Sequence, residues 1–242
     1  MPKKSKIKVI ATSKTASLSR IIDRIPSGIP GLDKLMEGGF VKGSTNLISG
    51  AAGTGKTIFC TQFLMEGLRR GEICMFITLE ESPEDIMGDV KRFGWDLQKY
   101  IDDKKLILVA QDPFQMTDIV GPLVDEIKEN KVQRVAIDST ALLEMYYKDP
   151  SDIRKQLFRL LSSLKSINVT SLITSELAEQ SSTLGKFGVE EFVVDGVLVL
   201  RNVSMGGVNF TLQVRKMRRT NHAKEVCEMQ ISDKGIEVRK PE

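Results

Sequence analysis

The octet Gly50-Ala51-Ala52-Gly53-Thr54-Gly55-Lys56-Thr57 constrains this chain more than any other stretch. It fits the pattern G-x-x-x-x-G-K-[ST] in full, and its flanks fit as well. The apolar run Leu47-Ile48-Ser49 leads in and a helix-patterned segment, Thr57–Arg70, leads out. Gly50, Gly53 and Gly55 permit turns in which successive backbone N–H groups point inward around phosphate oxygens, where side chains would crowd the approach. The N-terminus of the following helix adds its positive dipole end. A lysine at position 56 reaches the β- and γ-phosphates, and a hydroxyl at position 57 ligates Mg²⁺. The octet, with Ile58 beyond it, therefore predicts a site for a nucleoside triphosphate and Mg²⁺. Because the loop joins a strand to a helix, it also demands an α/β fold.

The rest of the chain agrees. From about Ile25, short apolar runs alternate with longer segments of 3.6-residue period, as in βα units of a mostly parallel sheet with helices on both faces. Strands are expected at Asn46–Ser49, Cys74–Leu79, Leu106–Ala110, Arg134–Asp138 and Val169–Ser175. Each is nearly continuous in apolarity, as strands covered on both faces are. Helices are expected over Thr57–Arg70 with Gly71 closing it, from Ser82-Pro83-Glu84-Asp85, over Thr117–Asn130, and from Ser151-Asp152 to about Asn168. Residues 178–190 read as a polar loop. Beyond it, Val193–Leu200, Val208–Lys216, Cys227–Ile231 and Ile236–Val238 follow at turn-like spacing, which predicts an antiparallel C-terminal extension of the sheet.

A magnesium site needs a second protein contact, and Val135-Ala136-Ile137-Asp138 offers Asp138 at the end of a buried strand. Hydrolysis needs a base or a group that orients water. Leu79-Glu80-Glu81-Ser82 puts two carboxylates at the end of another strand, on the edge where open α/β sheets bind ligands. Alternation lets only one of them face the nucleotide, and spacing alone does not choose between Glu80 and Glu81.

Charge divides the chain into unequal parts. Of 35 basic residues, six (Lys3, Lys4, Lys6, Lys8, Lys14 and Arg20) lie in residues 1–20, which hold no acid; 29 then face 32 acidic ones in the rest. The expectation is a basic arm, 1–20, ahead of one domain, 21–242, a length that suits a single α/β unit. No apolar run reaches the length of a signal peptide core or a membrane span. The three cysteines, Cys60, Cys74 and Cys227, show no metal-ligand spacing, and Cys60 and Cys74 fall in apolar patterns of buried thiols. A reducing cytoplasm fits best, without a membrane.

With these pieces in place the chain resembles single-domain members of the KaiC-like branch of the RecA superfamily. The likeness is carried by Ser27-Gly28-Ile29-Pro30-Gly31-Leu32-Asp33, Gly38-Gly39 and Lys42-Gly43-Ser44 before the phosphate loop. It continues in Leu79-Glu80-Glu81-Ser82-Pro83, Phe187-Gly188-Val189-Glu190-Glu191-Phe192, Val194-Asp195-Gly196-Val197 and Lys216-Met217-Arg218. The resemblance implies a RecA-like P-loop core that assembles into rings, usually hexamers, with ATP held between neighbours and hydrolysed to ADP with Mg²⁺. It favours Glu80 as the catalytic glutamate with Glu81 in support. It makes Lys216 and Arg218 the cations delivered to a neighbour's γ-phosphate, and it sets His222 near the interface nucleotide. Two departures stand out. Arg219 occupies a usual glycine position, so either arginine fits the role of finger. Glu191 and Phe192 stand where the two-domain clock members carry the Ser and Thr of their autokinase site, which excludes autophosphorylation there. Ser181, Ser182 and Thr183 read as part of a solvated loop, and Trp95 as packing a helix end. A regulatory or signalling ring ATPase is the leading expectation. The alternative is a DNA-binding recombination or repair accessory, in which the arm and residues 178–190 would meet phosphates; the absence of aromatic residues in the arm weighs against it. A module that binds ATP without turnover is disfavoured by the Glu80/Glu81 pair.

Overall fold

The computed structural model describes residues 22–78, 81–110, 120–140, 142–177, 185–187, 190–205 and 208–241. In chain order the elements are β1 (Arg24–Ile25), α1 (Leu32–Leu35), β2 (Phe40–Val41), β3 (Thr45–Gly50), α2 (Lys56–Arg69), β4 (Cys74–Thr78) and α3 (Pro83–Val90). A 3-10 turn (Lys91–Phe93), α4 (Leu97–Asp102), β5 (Leu106–Ala110), α5 (Val120–Glu129), β6 (Arg134–Asp138), α6 (Leu142–Tyr146), α7 (Pro150–Ser166) and β7 (Thr170–Glu176) follow. The chain closes with α8 (Glu190–Val193), β8 (Gly196–Met205), β9 (Val208–Met217), β10 (Val226–Ser232) and β11 (Gly235–Arg239).

Among the described residues, one sheet runs in the order β11-β10-β9-β8-β3-β7-β6-β4-β5. From β8 to β5 the strands are parallel, and β9, β10 and β11 extend it antiparallel, as the sequence leads one to expect. Successive side chains of a buried strand point to opposite faces, so each strand feeds two cores. Leu47, Met75, Ile77, Val135 and Ile137 pack on the side of α5 and α7, whereas Ile48, Phe76 and Ala136 join Phe59, Phe63 and Leu64 of α2 on the other. A separate antiparallel pair, β1 with β2, frames the entry to β3; the periodicity of the sequence did not disclose it.

Local chemistry sets the helix ends. Gly71 takes φ 79, which only glycine adopts without strain, so the Gly71 and Glu72 N–H groups can close α2 onto Leu68 and Gly67 carbonyls. Ser82 accepts from the Asp85 N–H and Pro83 follows it, as the sequence leads one to expect for α3. α7 starts earlier than Ser151-Asp152: Asp149 accepts from the Ser151 N–H at 2.8 Å, and Pro150, with no N–H to satisfy, fits the first helical position. The expected strand Val193–Leu200 is corrected. Residues 190–193 form the helical turn α8, and β8 begins only at Gly196 and runs to Met205. The cause is Glu190, fully buried, whose carboxylate accepts from the Ser175 hydroxyl and the Phe187 N–H and so folds this segment back on β7.

Trp95 is buried against Phe93, a packing role as expected. Cys60, Cys74 and Cys227 are buried free thiols; burial pushes Cys74 up to about 12 and Cys60 well above its usual value. Among the described residues, no helix is long and apolar enough to cross a membrane.

Candidate functional site

The carboxyl ends of the parallel strands bring the expected residues of the octet and Asp138 together. β3 ends at Gly50, where a side chain would meet the Thr54 hydroxyl and the Leu200 carbonyl within 2.8 Å, so only glycine lets the chain turn. Ala51 and Ala52 form the outer turn, and the Thr54 hydroxyl closes it by donating to the Ala51 carbonyl at 2.8 Å. Gly53 and Gly55 take φ 75 and 89, and nothing lies within 4 Å of where a Gly53 side chain would begin. Lys56 folds back on the loop, its ammonium donating to the Gly50 and Ala51 carbonyls at 3.0 and 2.9 Å.

Beneath the loop the Thr57 hydroxyl donates to Asp138 Oδ2 at 2.6 Å, and the Thr174 hydroxyl donates to Asp138 Oδ1. Asp138 ends β6 and is 8% exposed. A carboxylate and a hydroxyl side by side at the foot of a phosphate loop suit Mg²⁺, a hard cation that takes few protein oxygens and completes its shell with phosphate and water. Among the described residues there is no cluster of three or more His, Cys, Asp or Glu that could hold a metal ion.

A cavity of about 520 Å³ opens from this point. Gly53, Gly55, Lys56, Thr57, Ile58 and Glu81 form its phosphate-loop end. Glu81 sits just past β4 with its backbone tied to Thr78, whose hydroxyl donates to the Glu81 carbonyl and accepts from the Glu81 N–H. Glu80 lies outside the described residues, as do Ser181, Ser182 and Thr183. The far wall escaped the sequence reading. α3 and the 3-10 turn supply Ile86, Asp89, Val90, Arg92 and Phe93, with the Arg92 guanidinium 4.6 Å from the Phe93 ring centre, and the antiparallel extension supplies Phe210 and Ile231. A mixed apolar and charged wall of this kind suits a base and a ribose. Phe210 and Ile231 come from strands more than 150 residues after the loop, so no local signal could have found them.

Lys216 and Arg218 are elsewhere. Lys216 pairs with Val197 and Met217 with Gly196, whereas Gly50 pairs with Leu200. The two cations thus sit toward the amino ends of the parallel strands, roughly 10 Å along the sheet and about 10 Å across it from their own phosphate loop. Lys216 Nζ donates to the Glu191 and Val194 carbonyls at 2.6 and 2.7 Å, and burial, with the nearby Arg218 charge, lowers its pKa. Arg218 is half exposed. Arg219 takes φ 59 where the resemblance expects glycine, and its carbonyl accepts from Arg24. His222 is buried, its ring bonded to the Ala223 carbonyl and the Lys224 ammonium, away from the cavity of its own chain.

Comparison with known proteins identifies the family of the chain. A family model described as "ATPase: KaiC" matches residues 25–242. The circadian clock oscillator protein KaiC 1 of Synechocystis sp. is 37% identical over 229 residues, 90% of this chain and 44% of that protein. The circadian clock oscillator protein KaiC of Prochlorococcus marinus subsp. pastoris is 38% identical over 234 residues, 92% of this chain and 46% of that one. The chain thus spans a little under half the length of the curated relatives it matches. The crystal structure of a KaiC-like protein from the hyperthermophilic archaeon Pyrococcus horikoshii OT3 superposes with a TM-score of 0.82 at 34% identity, covering 90% of this chain and 99% of that one. With a RecA-like α/β fold and a phosphate loop seated over Asp138, the chain belongs to the KaiC ATPase family.

Proposed function

We propose that the protein binds ATP with Mg²⁺ and hydrolyses it to ADP and phosphate, in sites completed between adjacent copies of a ring, a hexamer by resemblance, whose role is regulatory or signalling. The observation that carries the reading is the Thr57–Asp138 contact at 2.6 Å, set beneath an open loop at the mouth of a nucleotide-sized cavity. The loop's N–H groups and the α2 N-terminus bind phosphate, Lys56 shifts from backbone carbonyls to phosphate oxygens, and Thr57 with Asp138 holds the cation. Bound Mg²⁺ supplies neutralisation of charge on the transferring phosphoryl group. Glu80, the family's choice, accepts the proton of the attacking water. Glu81, tied through its backbone to Thr78, supports that position or takes it over.

Lys216 and Arg218 stand too far from their own loop to serve it. Delivered to an adjacent copy, they stabilise charge on its γ-phosphate only in the assembled state. The DNA-accessory alternative rests on residues 1–20 and 178–190, most of which lie outside the described residues, and no described feature favours it.

ATP turnover measured together with subunit mass, with and without nucleotide, tests the proposal. Glu80→Gln is expected to retain nucleotide binding and lose turnover by roughly 100-fold or more, within the range of general-base effects. Full activity in Glu80→Gln with loss in Glu81→Gln would move the base to Glu81. A protein that stays monomeric with saturating ATP and Mg²⁺ yet turns over would end the ring reading.

A further inference from the structure

The two cations at the amino edge are held by one short stretch of chain, residues 191–195. Lys216 is gripped by the Glu191 and Val194 carbonyls, and Arg218 reaches the Phe192 carbonyl at 3.3 Å and Asp195 Oδ1 at 3.4 Å. Asp195 does more than meet a guanidinium. It is 3% exposed; its Oδ1 also accepts from Lys165 of α7 at 2.7 Å and its Oδ2 from the Thr45 N–H at 3.3 Å. Its backbone N–H donates to the Thr45 carbonyl at 2.8 Å, and its own carbonyl accepts from the Arg218 N–H at 2.9 Å. One buried residue therefore fixes both the main chain and the side chain of Arg218, and it references them to the first residue of β3.

The Arg218 and Lys165 side chains are each about half exposed, while the anion that orients them is buried. A cation fixed in this way needs little reorganisation when phosphate charge arrives, which is the condition for effective electrostatic stabilisation. An arginine free to wander among rotamers would lose that advantage.

We propose that Asp195 is the positioning residue for Arg218: it aims the guanidinium at the nucleotide of an adjacent copy, with Lys165 sharing the carboxylate so that Arg218 is oriented but not locked. This rests on the reading that Lys216 and Arg218 act on a neighbour's nucleotide. Through Thr45, Asp195 also ties the half-exposed cation to the strand that ends, about 17 Å further on, in the chain's own phosphate loop.

The test is a complementation experiment on full-length chains. Lys56→Ala supplies intact trans cations but an impaired loop, and Arg218→Ala supplies the reverse. Mixed together they are expected to recover ATP turnover at interfaces where the intact halves meet. Asp195→Asn keeps the side chain's shape and an oxygen for the Thr45 N–H but removes the charge that orients Arg218. Placed in the Lys56→Ala chain, it is expected to cut the recovered rate about tenfold or more. Placed in the Arg218→Ala chain, where there is no guanidinium to aim, it is expected to leave the recovered rate within about twofold. Equal losses from both placements would make Asp195 a structural residue and overturn the proposal while leaving the trans reading intact. No recovery in the parental mixture would remove the trans reading itself, and this proposal with it.

Discussion

β6 carries a buried charge at each end, and the two ends are built differently. At its start the fully buried Arg134 is matched by an opposite charge: its guanidinium meets Glu72 at 2.6 and 3.3 Å, donates to the Pro26 and Phe63 carbonyls, and lies 4.7 Å from the Phe63 ring centre. At its end Asp138 is met by the Thr57 and Thr174 hydroxyls beside the phosphate loop. Hydroxyls satisfy a carboxylate's lone pairs without neutralising it. On the proposed reading, the contrast separates a charge that holds the fold from one that serves a ligand, within a strand of five residues, all buried. Arg134 braces α2 from behind, and α2 presents Lys56 and Thr57 in front.

The carboxyl end should respond to substitution in binding and chemistry, with little change in stability. The largest effect is expected for Lys56→Ala. Losing a cation that contacts phosphate in a partly desolvated site costs about 2–5 kcal/mol, roughly 30-fold to several thousand-fold in affinity. Calorimetric titration with ATP checks it, and affinity within threefold of the parent would contradict the phosphate-loop role. Asp138→Asn is next. It keeps the shape and an acceptor for Thr57 but removes the negative charge offered to Mg²⁺, so turnover at saturating nucleotide is expected to fall about 100-fold. Magnesium-free nucleotide binding should persist. If turnover were unchanged across a magnesium series, Asp138 would belong with Arg134 as a structural charge.

What was legible beforehand divides along the same line. The octet, the apolar run before Asp138 and the caps at Ser82 and Gly71 are contiguous patterns whose physics is local, and each appears in the fold as expected. Arg134 gave no such signal, because its partner Glu72 is 62 residues away and its burial depends on α2 crossing over β6. The wall of Phe210 and Ile231 was hidden for the same reason. Val193–Leu200 misled because its apolar run continues through a segment that Glu190 turns into α8, a tertiary contact that overrides β-propensity. Lys216 and Arg218 could be named through family likeness, yet their position at the edge remote from their own loop came only from strand register.

The amino end should respond in stability. Arg134→Met fills similar space but leaves Glu72 partly buried without its cation and two carbonyls without donors. Breaking a buried pair from one side costs about 3 kcal/mol. Chemical denaturation should show this loss, while ATP affinity, measured well below the unfolding transition, stays within about twofold. An equally large loss of affinity with no loss of stability would erase the distinction between the two ends of β6.

The smallest effect concerns Asp195, the other buried charge at the amino edge. Burial alone would raise its carboxyl pKa. The hydrogen bond from Lys165, the Thr45 N–H and the charges of Lys165 and Arg218 outweigh burial and hold it below the ordinary value of 3.8. A carboxyl with a lowered folded-state pKa contributes stability that is fully present above its unfolded value and is lost as pH falls through the folded one. The contribution should therefore be constant near neutrality and disappear below about pH 4. Denaturation midpoints for the parent and Asp195→Asn are expected to differ at pH 7 and to converge as the pH drops into that range. Added salt should narrow the gap at pH 7, because Lys165 and Arg218 are half exposed and their charges are screened. A gap that stays constant from pH 7 to pH 3 would mean that the difference does not follow ionisation of the Asp195 carboxyl. The charge on Asp195 would then have no stabilising role, and its function would have to be sought in its effect on Arg218.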